Sequence, residues 1–105
     1  VTTHQVIFTP EAEEQLAALY NYIAQAGSPL SARRYTSAIV DYCASLSEFP
    51  ERGTRRDDLR SGLRITNYKG RTVIAFEISD DTVAILGIFY GGQDYASLIS
   101  DGDDA

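Results

Sequence analysis

EFPERGTRRDDLRSGLR, residues 48–64, divides this chain into two halves that read as different kinds of secondary structure. Phe49-Pro50 closes a helical pattern, because the residue before a proline is pushed out of the helical region. Leu63 opens a run of strand-like residues. The stretch also holds Arg52, Arg55, Arg56, Arg60 and Arg64, five of the chain's eight arginines. Extended through Lys69 and Arg71, residues 48–71 carry seven cations against Glu48, Glu51, Asp57 and Asp58, a net of +3. The remainder has only Arg33 and Arg34 against eleven acids, a net of −9, and together these give the overall −6. Net charge governs association and solubility, so a basic block inside an acidic protein points to a partner.

Upstream of that stretch, His4–Phe8 (HQVIF) is short and β-branched and predicts a first strand. Thr9-Pro10 is a helix start, a hydroxyl cap followed by proline at the first helical position. Glu11, Glu13 and Glu14 place negative charge at the positive end of the helix dipole. Ala12, Leu16, Leu19, Tyr20 and Ile23 then share one face, and Gly27 ends the helix. Ser28-Pro29 repeats the start signal, and Ala32, Tyr35, Ile39, Tyr42, Cys43 and Leu46 form a second stripe. The short link makes the two helices an antiparallel hairpin, whose stripes need a second layer to cover them.

Downstream, Leu63–Tyr68 (LRITNY) and Arg71–Ile78 (RTVIAFEI) flank Lys69-Gly70, read as a two-residue hairpin turn. Ser79-Asp80-Asp81 turns the chain again into Thr82–Tyr90 (TVAILGIFY), which is apolar on both faces and so predicts a central or covered strand. Gly87 within it marks a bulge or a close backbone approach. In the middle strand Ile74, Phe76 and Ile78 are the expected core face. The order β-α-α-β-β-β predicts an α+β fold, a helical hairpin packed on an antiparallel sheet. One domain is expected over residues 1–95, with 96–105 an acidic, flexible tail.

Several classes of function are disfavoured. One cysteine and one histidine cannot compose a cysteine–histidine zinc set, and no glycine-rich loop precedes a helix, so neither metal nor cofactor is expected. Cys43 falls on an apolar stripe and reads as core, and His4 as an edge-strand polar residue. No apolar run approaches the roughly 20 residues that span a bilayer, and the expected location is the cytoplasm. Asp57-Asp58 reads as ion-paired with neighbouring guanidiniums. The arginines themselves have two readings, a solvated ion-paired loop or a set of forks presented to carboxylates or phosphates. In the second reading Arg52, Arg55, Arg56, Arg60 and Arg64, with Tyr68, Tyr90 and Tyr95 near the strand ends, contact a partner. Tyr20, Tyr35 and Tyr42 read as core residues with their hydroxyls at its edge. At net −6, binding nucleic acid by charge alone is opposed by the rest of the surface, and no sequence-specific nucleic-acid binding is expected.

FTPEAEEQL (Phe8–Leu16) with Tyr20 and Ile23, FPERGTRRDDLRSGLR (Phe49–Arg64) and VAILGIFYGGQD (Val83–Asp94) resemble the ParE toxins of the RelE/ParE superfamily. The resemblance runs from Val6 to Tyr95 and is most specific at Phe49, Pro50, Gly53, Arg56, Asp58, Leu59, Arg60, Gly62, Leu63 and Arg64. It implies the toxin of a type II toxin–antitoxin module, neutralised by a ParD-like or equivalent antitoxin laid over its surface. Within the superfamily it implies one of two targets. ParE-like members inhibit DNA gyrase without a nuclease site. RelE-like members cut messenger RNA in the ribosome, for which Arg60, Arg64 and Tyr90 would be the catalytic set. Many relatives carry histidine where Tyr90 stands and arginine where Gln93 stands, so this chain leans toward gyrase inhibition without catalytic residues. A non-toxic relic that only binds antitoxin is the third expectation.

Overall fold

The computed structural model describes residues 3–91 together with Tyr95, Ala96 and Ile99. Strand β1 (Gln5–Phe8) leads into helix α1 (Pro10–Ala26) and helix α2 (Pro29–Ala44), followed by a short 3-10 turn, Ser45–Ser47. Strands β2 (Thr54–Arg55), β3 (Leu63–Tyr68), β4 (Thr72–Ser79) and β5 (Thr82–Tyr90) complete it. The strands form one sheet in the order β1-β5-β4-β3-β2. Both helices lie on the same face, an α+β arrangement in which Ala12, Leu19, Ile39, Cys43 and Leu46 meet Ile74, Phe76, Val83, Ile85 and Ile88.

Both predicted caps are present. The Thr9 hydroxyl accepts from the Ala12 N–H at 3.2 Å, and the Ser28 hydroxyl from the Ser31 N–H at 3.1 Å. Thr9 also ties α1 to the sheet, its own N–H donating to the Ile85 carbonyl at 3.1 Å. Cys43 is fully buried, and burial pushes its thiol up to about 12, which removes it as a nucleophile near neutral pH. Ile74 and Phe76 are buried against the helices and Ile78 packs beside them, as the alternation predicts. Tyr35 and Tyr42 also behave as predicted, their hydroxyls meeting the Thr72 and Thr66 hydroxyls at 2.7 and 3.0 Å.

The structure corrects the sequence reading in three places. The sheet has a fifth strand, β2, inside the arginine stretch, where the sequence shows no strand pattern. It is only two residues long, below the length at which alternation carries information. The sheet is antiparallel except at one edge, where β1 runs parallel to β5 with Gln5 opposite Thr82 and Phe8 opposite Ile85. The β3–β4 connection is Lys69–Arg71, three residues and not two, since Tyr68 pairs with Thr72. Lys69 and Gly70 both take positive φ there, at 54° and 74°. Of the tail expected to be flexible from residue 96, Ala96 and Ile99 are helical, and the rest lies outside the described residues.

Strand β5 carries the decisive irregularity. Ala75 pairs with Gly87 while Phe76 pairs with Ile85, so Leu86 is an inserted residue. A bulge of one residue reverses which side chains point to which face. Val83 and Ile85 face the helices before it, and Ile88 and Tyr90 after it. Phe89 turns to the other face, where it joins Leu63, Ile65 and Ala75 under Leu59, Tyr95 and Ile99. The Ile88 N–H donates to Gln15 Oε1 of α1 at 2.7 Å. Gln15→Ala leaves that N–H without an acceptor beside a nearly buried residue, which costs about 1–3 kcal/mol. Urea unfolding should show this loss for Gln15→Ala and a smaller one for Gln15→Glu, which keeps an acceptor.

Candidate functional site

The arginine segment folds back on itself. Gly53, at a φ of +76°, brings the chain against β3, and Thr54 and Arg55 pair with Ile65 and Arg64. Arg64 reaches back across this turn, donating from Nε to the Arg52 carbonyl at 3.1 Å and from Nη2 to the Glu51 carbonyl at 2.9 Å. The Arg56 N–H donates to the Leu63 carbonyl at 2.8 Å, closing the loop 56–63. Inside that loop Asp57 Oδ1 accepts from the Gly62 N–H at 2.8 Å.

Two of the five arginines pair with carboxylates two residues on. Arg55 meets Asp57 at 3.2 Å, and Arg56 meets Asp58 through both Nε and Nη2 at 3.0 Å. The Gly62 N–H, and then Arg55, hold the Asp57 carboxyl below its usual range, and the Arg56 fork does the same for Asp58. Asp58 in turn holds the Arg56 guanidinium more firmly protonated. Arg56 also donates to the Tyr95 hydroxyl at 3.2 Å. Arg52 is bonded to the Ser45 hydroxyl at 3.1 Å, and its guanidinium carbon lies 5.5 Å from the ring centroids of both Tyr42 and Phe49. Arg60 is half-buried and, among the described residues, its guanidinium has no hydrogen bond or ion pair. The five side chains therefore do not converge on one point. Four of them hold the segment together, and Arg60 alone is uncommitted.

The tyrosines divide between the two faces of the sheet. Tyr95 sits with Phe89 and Arg56 on the face away from the helices. Tyr68 and Tyr90 lie on the helix side, in a continuous line of rings that the sequence reading did not assemble. From Tyr22 the line passes to Tyr90, Tyr35, Tyr68 and Tyr42, with neighbouring centroids 6.0, 5.9, 6.0 and 5.3 Å apart. Cations border it along its length: Arg52 over Tyr42, Lys69 over Tyr68 at 5.7 Å, and Arg71 over Tyr90 at 5.7 Å. Tyr22 carried a visible signal, since it is an aromatic residue off the apolar stripe of α1 and is 60% exposed.

Of the candidate nuclease set Arg60, Arg64 and Tyr90, the last two stand in different cross-strand rows. Arg64 shares its cross-strand row with Phe76 and Ile85, whereas Tyr90 shares its row with Thr72 and Tyr68. Four residues of β3 separate the rows, about 13 Å along the strand. Acid–base chemistry on one 2′-oxygen needs its groups within about 3 Å of the reacting atoms. Among the described residues no three His, Cys, Asp or Glu side chains gather to share a metal ion, and no helix is long and apolar enough to cross a membrane.

The architecture is thus a helical hairpin on a mostly antiparallel five-stranded sheet, with an arginine-rich loop at one edge. Residues 6–95 match the family described as the ParE toxin of the type II toxin–antitoxin system parDE, and the chain belongs to that family. The fold is similar to a structure of the chromosomal ParDE toxin–antitoxin system from P. aeruginosa. That likeness has a TM-score of 0.74 at 20% identity and covers 85% of this chain and 97% of that one. It is also similar to a chain in the RelBE2 toxin–antitoxin complex from Mycobacterium tuberculosis. There the TM-score is 0.62 at 23% identity, covering 85% of this chain and 99% of that one. No curated protein matches the sequence at a significant level.

Two outcomes follow from the loop's geometry. At Gly53 a Cβ would fall 2.2 Å from the Ile65 carbonyl oxygen, a backbone atom that cannot step aside. Gly53→Ala should therefore lift β2 from β3 and lower stability by roughly 2 kcal/mol or more, measured by denaturant unfolding and by loss of the Thr54–Ile65 cross-strand contacts in NMR spectra. The second outcome concerns acid. Asp57 and Asp58 titrate below the ordinary value of 3.8 in the folded chain. Their contribution is thus complete above that pH and is lost as the pH falls through their lowered values. The Gly62 amide proton shift should follow this titration with a midpoint below 3.8, and Asp57→Asn should abolish it.

Proposed function

We propose that this chain acts by binding and inhibiting DNA gyrase, without catalysis, and that a ParD-like antitoxin neutralises it by covering its surface. The observation that carries the non-catalytic reading is the use of the arginines. Arg64 is committed to main-chain carbonyls, Arg55 and Arg56 to carboxylates, and Tyr90 stands in a different cross-strand row from Arg64. This geometry supports a binding protein over a RelE-like endonuclease built on Arg60, Arg64 and Tyr90. Membership of the ParE family supports the same reading.

The antitoxin meets surfaces of opposite charge. On the outer side of the helical hairpin, Phe8, Leu16, Ala17, Tyr20 and Val40 line a groove of about 590 Å³ that carries Glu13 on one bank and Asp41 on the other. A segment laid there presents an apolar stripe with lysine or arginine at its flanks. At the opposite edge Arg52 and Arg60, which hold no carboxylate of their own among the described residues, call for carboxylates. In this reading Tyr68, Tyr90 and Tyr95 are contact residues, and the protein works in the cytoplasm as one domain over residues 1–95.

The purified chain should block gyrase supercoiling, leave ribosome-bound message intact, and lose its effect when the antitoxin is added. Supercoiling that persists at excess toxin would remove gyrase as the target. Message cleavage that disappears in Arg60→Ala or Tyr90→Phe would instead establish the endonuclease. Expression without antitoxin that leaves growth unaffected would identify a relic.

A further inference from the structure

The line of tyrosines ends in a cleft between α1 and the last residues of β5. Its volume is about 440 Å³, and it is lined by Gln15, Leu19, Tyr22, Arg71, Ile88 and Tyr90. Leu19 and Ile88 make an apolar floor continuous with the core. Tyr22 and Tyr90 are the walls, their rings 6.0 Å apart at 56°, and Tyr22 is 60% exposed although it supports nothing in the core. Arg71 is exposed and stacks over Tyr90, and among the described residues it has no carboxylate partner. Gln15 gives its carbonyl oxygen to the Ile88 N–H, and its amide N–H groups have no acceptor among the described residues. Among the described residues the lining thus offers the Gln15 amide and the Arg71 guanidinium as donors, and no carboxylate.

We propose that this cleft is the anchor pocket for the antitoxin, receiving an aromatic or leucine-sized side chain with a carboxylate one or two residues away for Arg71. The inference rests on the toxin–antitoxin reading above and assigns it a site. Tyrosine and arginine around a concave apolar floor are the composition in which a few residues carry most of an interface's affinity. Slow dissociation, which silencing a toxin demands, comes from such anchors more than from rim charges. The cations Arg52, Lys69 and Arg71 follow the same line of rings, so an acidic segment leaving the cleft meets positive charge along its path. A single-stranded nucleic acid fits less well. Base stacking needs an open ring face with room for a flat base along it, whereas Tyr22 and Tyr90 form a wedge at 56° and Tyr35 meets both Tyr68 and Tyr90 edge-on.

The test is titration calorimetry and dissociation kinetics of the toxin with the antitoxin encoded beside it, for the wild-type chain, Tyr22→Ala, Arg71→Glu and Arg71→Lys. Both altered side chains are exposed, so unchanged thermal unfolding confirms that each variant is folded. Tyr22→Ala and Arg71→Glu should each raise Kd about tenfold or more, mainly through faster dissociation, with Arg71→Lys recovering part of the loss. Wild-type binding with both variants within about twofold would overturn the pocket and leave the toxin reading standing. No wild-type binding would remove that reading and the pocket with it. Intact antitoxin affinity with lost gyrase inhibition would give the cleft to the target and overturn the assignment. So would binding of a mixed-sequence single-stranded oligonucleotide that vanishes in Arg71→Glu.

Discussion

The hydrogen bond between the Ile88 N–H and Gln15 Oε1, 2.7 Å long, holds a bulge on which the rest of the molecule depends. With Leu86 inserted, β5 changes parity halfway along. Val83 and Ile85 reach the helices from one half, and Ile88 and Tyr90 from the other. Without the inserted residue Tyr90 would point to the far face, and the line of tyrosines would break at its centre. Gly87 is needed at the same place, because a Cβ there would lie 2.6 Å from the Phe89 ring. Helix α1 therefore does two things at once. It covers the sheet, and through Gln15 and the Thr9 N–H it fixes the register of the strand beneath it.

A second constraint explains why a dense run of arginines does not converge on one point. Strand β2 is two residues long, too short for ladder hydrogen bonds to hold the segment down. Arg64 supplies the deficit by donating to the carbonyls of Glu51 and Arg52, and Asp57 supplies it again at the Gly62 N–H. A planar guanidinium with several fixed donors suits that bracing, which one ammonium could not reproduce. The pairs Arg55–Asp57 and Arg56–Asp58 are largely solvent-exposed, and such pairs add little to stability on their own. Their effect is to shape the loop and to cancel charge within it.

The sequence carried the local features of this fold and missed those that depend on distant pairing. The caps at Thr9 and Ser28 are legible because a hydroxyl and a proline act on their own first turn. Strands β3 and β5 lie where alternation and apolar runs put them. Strand β2 exists only because Gly53 delivers it to β3, and the parallel edge only because the chain returns to β1 after two helices and three other strands. The site was legible in part. Tyr95 does lie beside Arg56, and Tyr68 and Tyr90 share one aromatic face. Helical spacing places Tyr35 and Tyr42 in the core, but it reports one side of a ring and says nothing of the neighbour across the sheet. Lys69 and Arg71, counted as charge, turn out to be the border of that face.

Charge that is present is not charge that can act. Of the seven cations in residues 48–71, Arg55 and Arg56 form neutral pairs with Asp57 and Asp58, which leaves five cations against Glu48 and Glu51. The net remains +3, but its location moves. Arg52, Lys69 and Arg71 stand against tyrosine rings, and Arg64 is turned onto the main chain. A guanidinium stacked on a ring sheds part of its water and keeps its outer donors, so it meets a carboxylate at a smaller desolvation cost than a fully hydrated cation. The positive field therefore works from the aromatic face between helices and sheet, while the outer groove of the hairpin keeps Glu13 and Asp41. An antitoxin that covers both surfaces must itself change sign along its length, basic over the hairpin and acidic along the tyrosines. A uniformly charged chain would be held at one surface and repelled from the other.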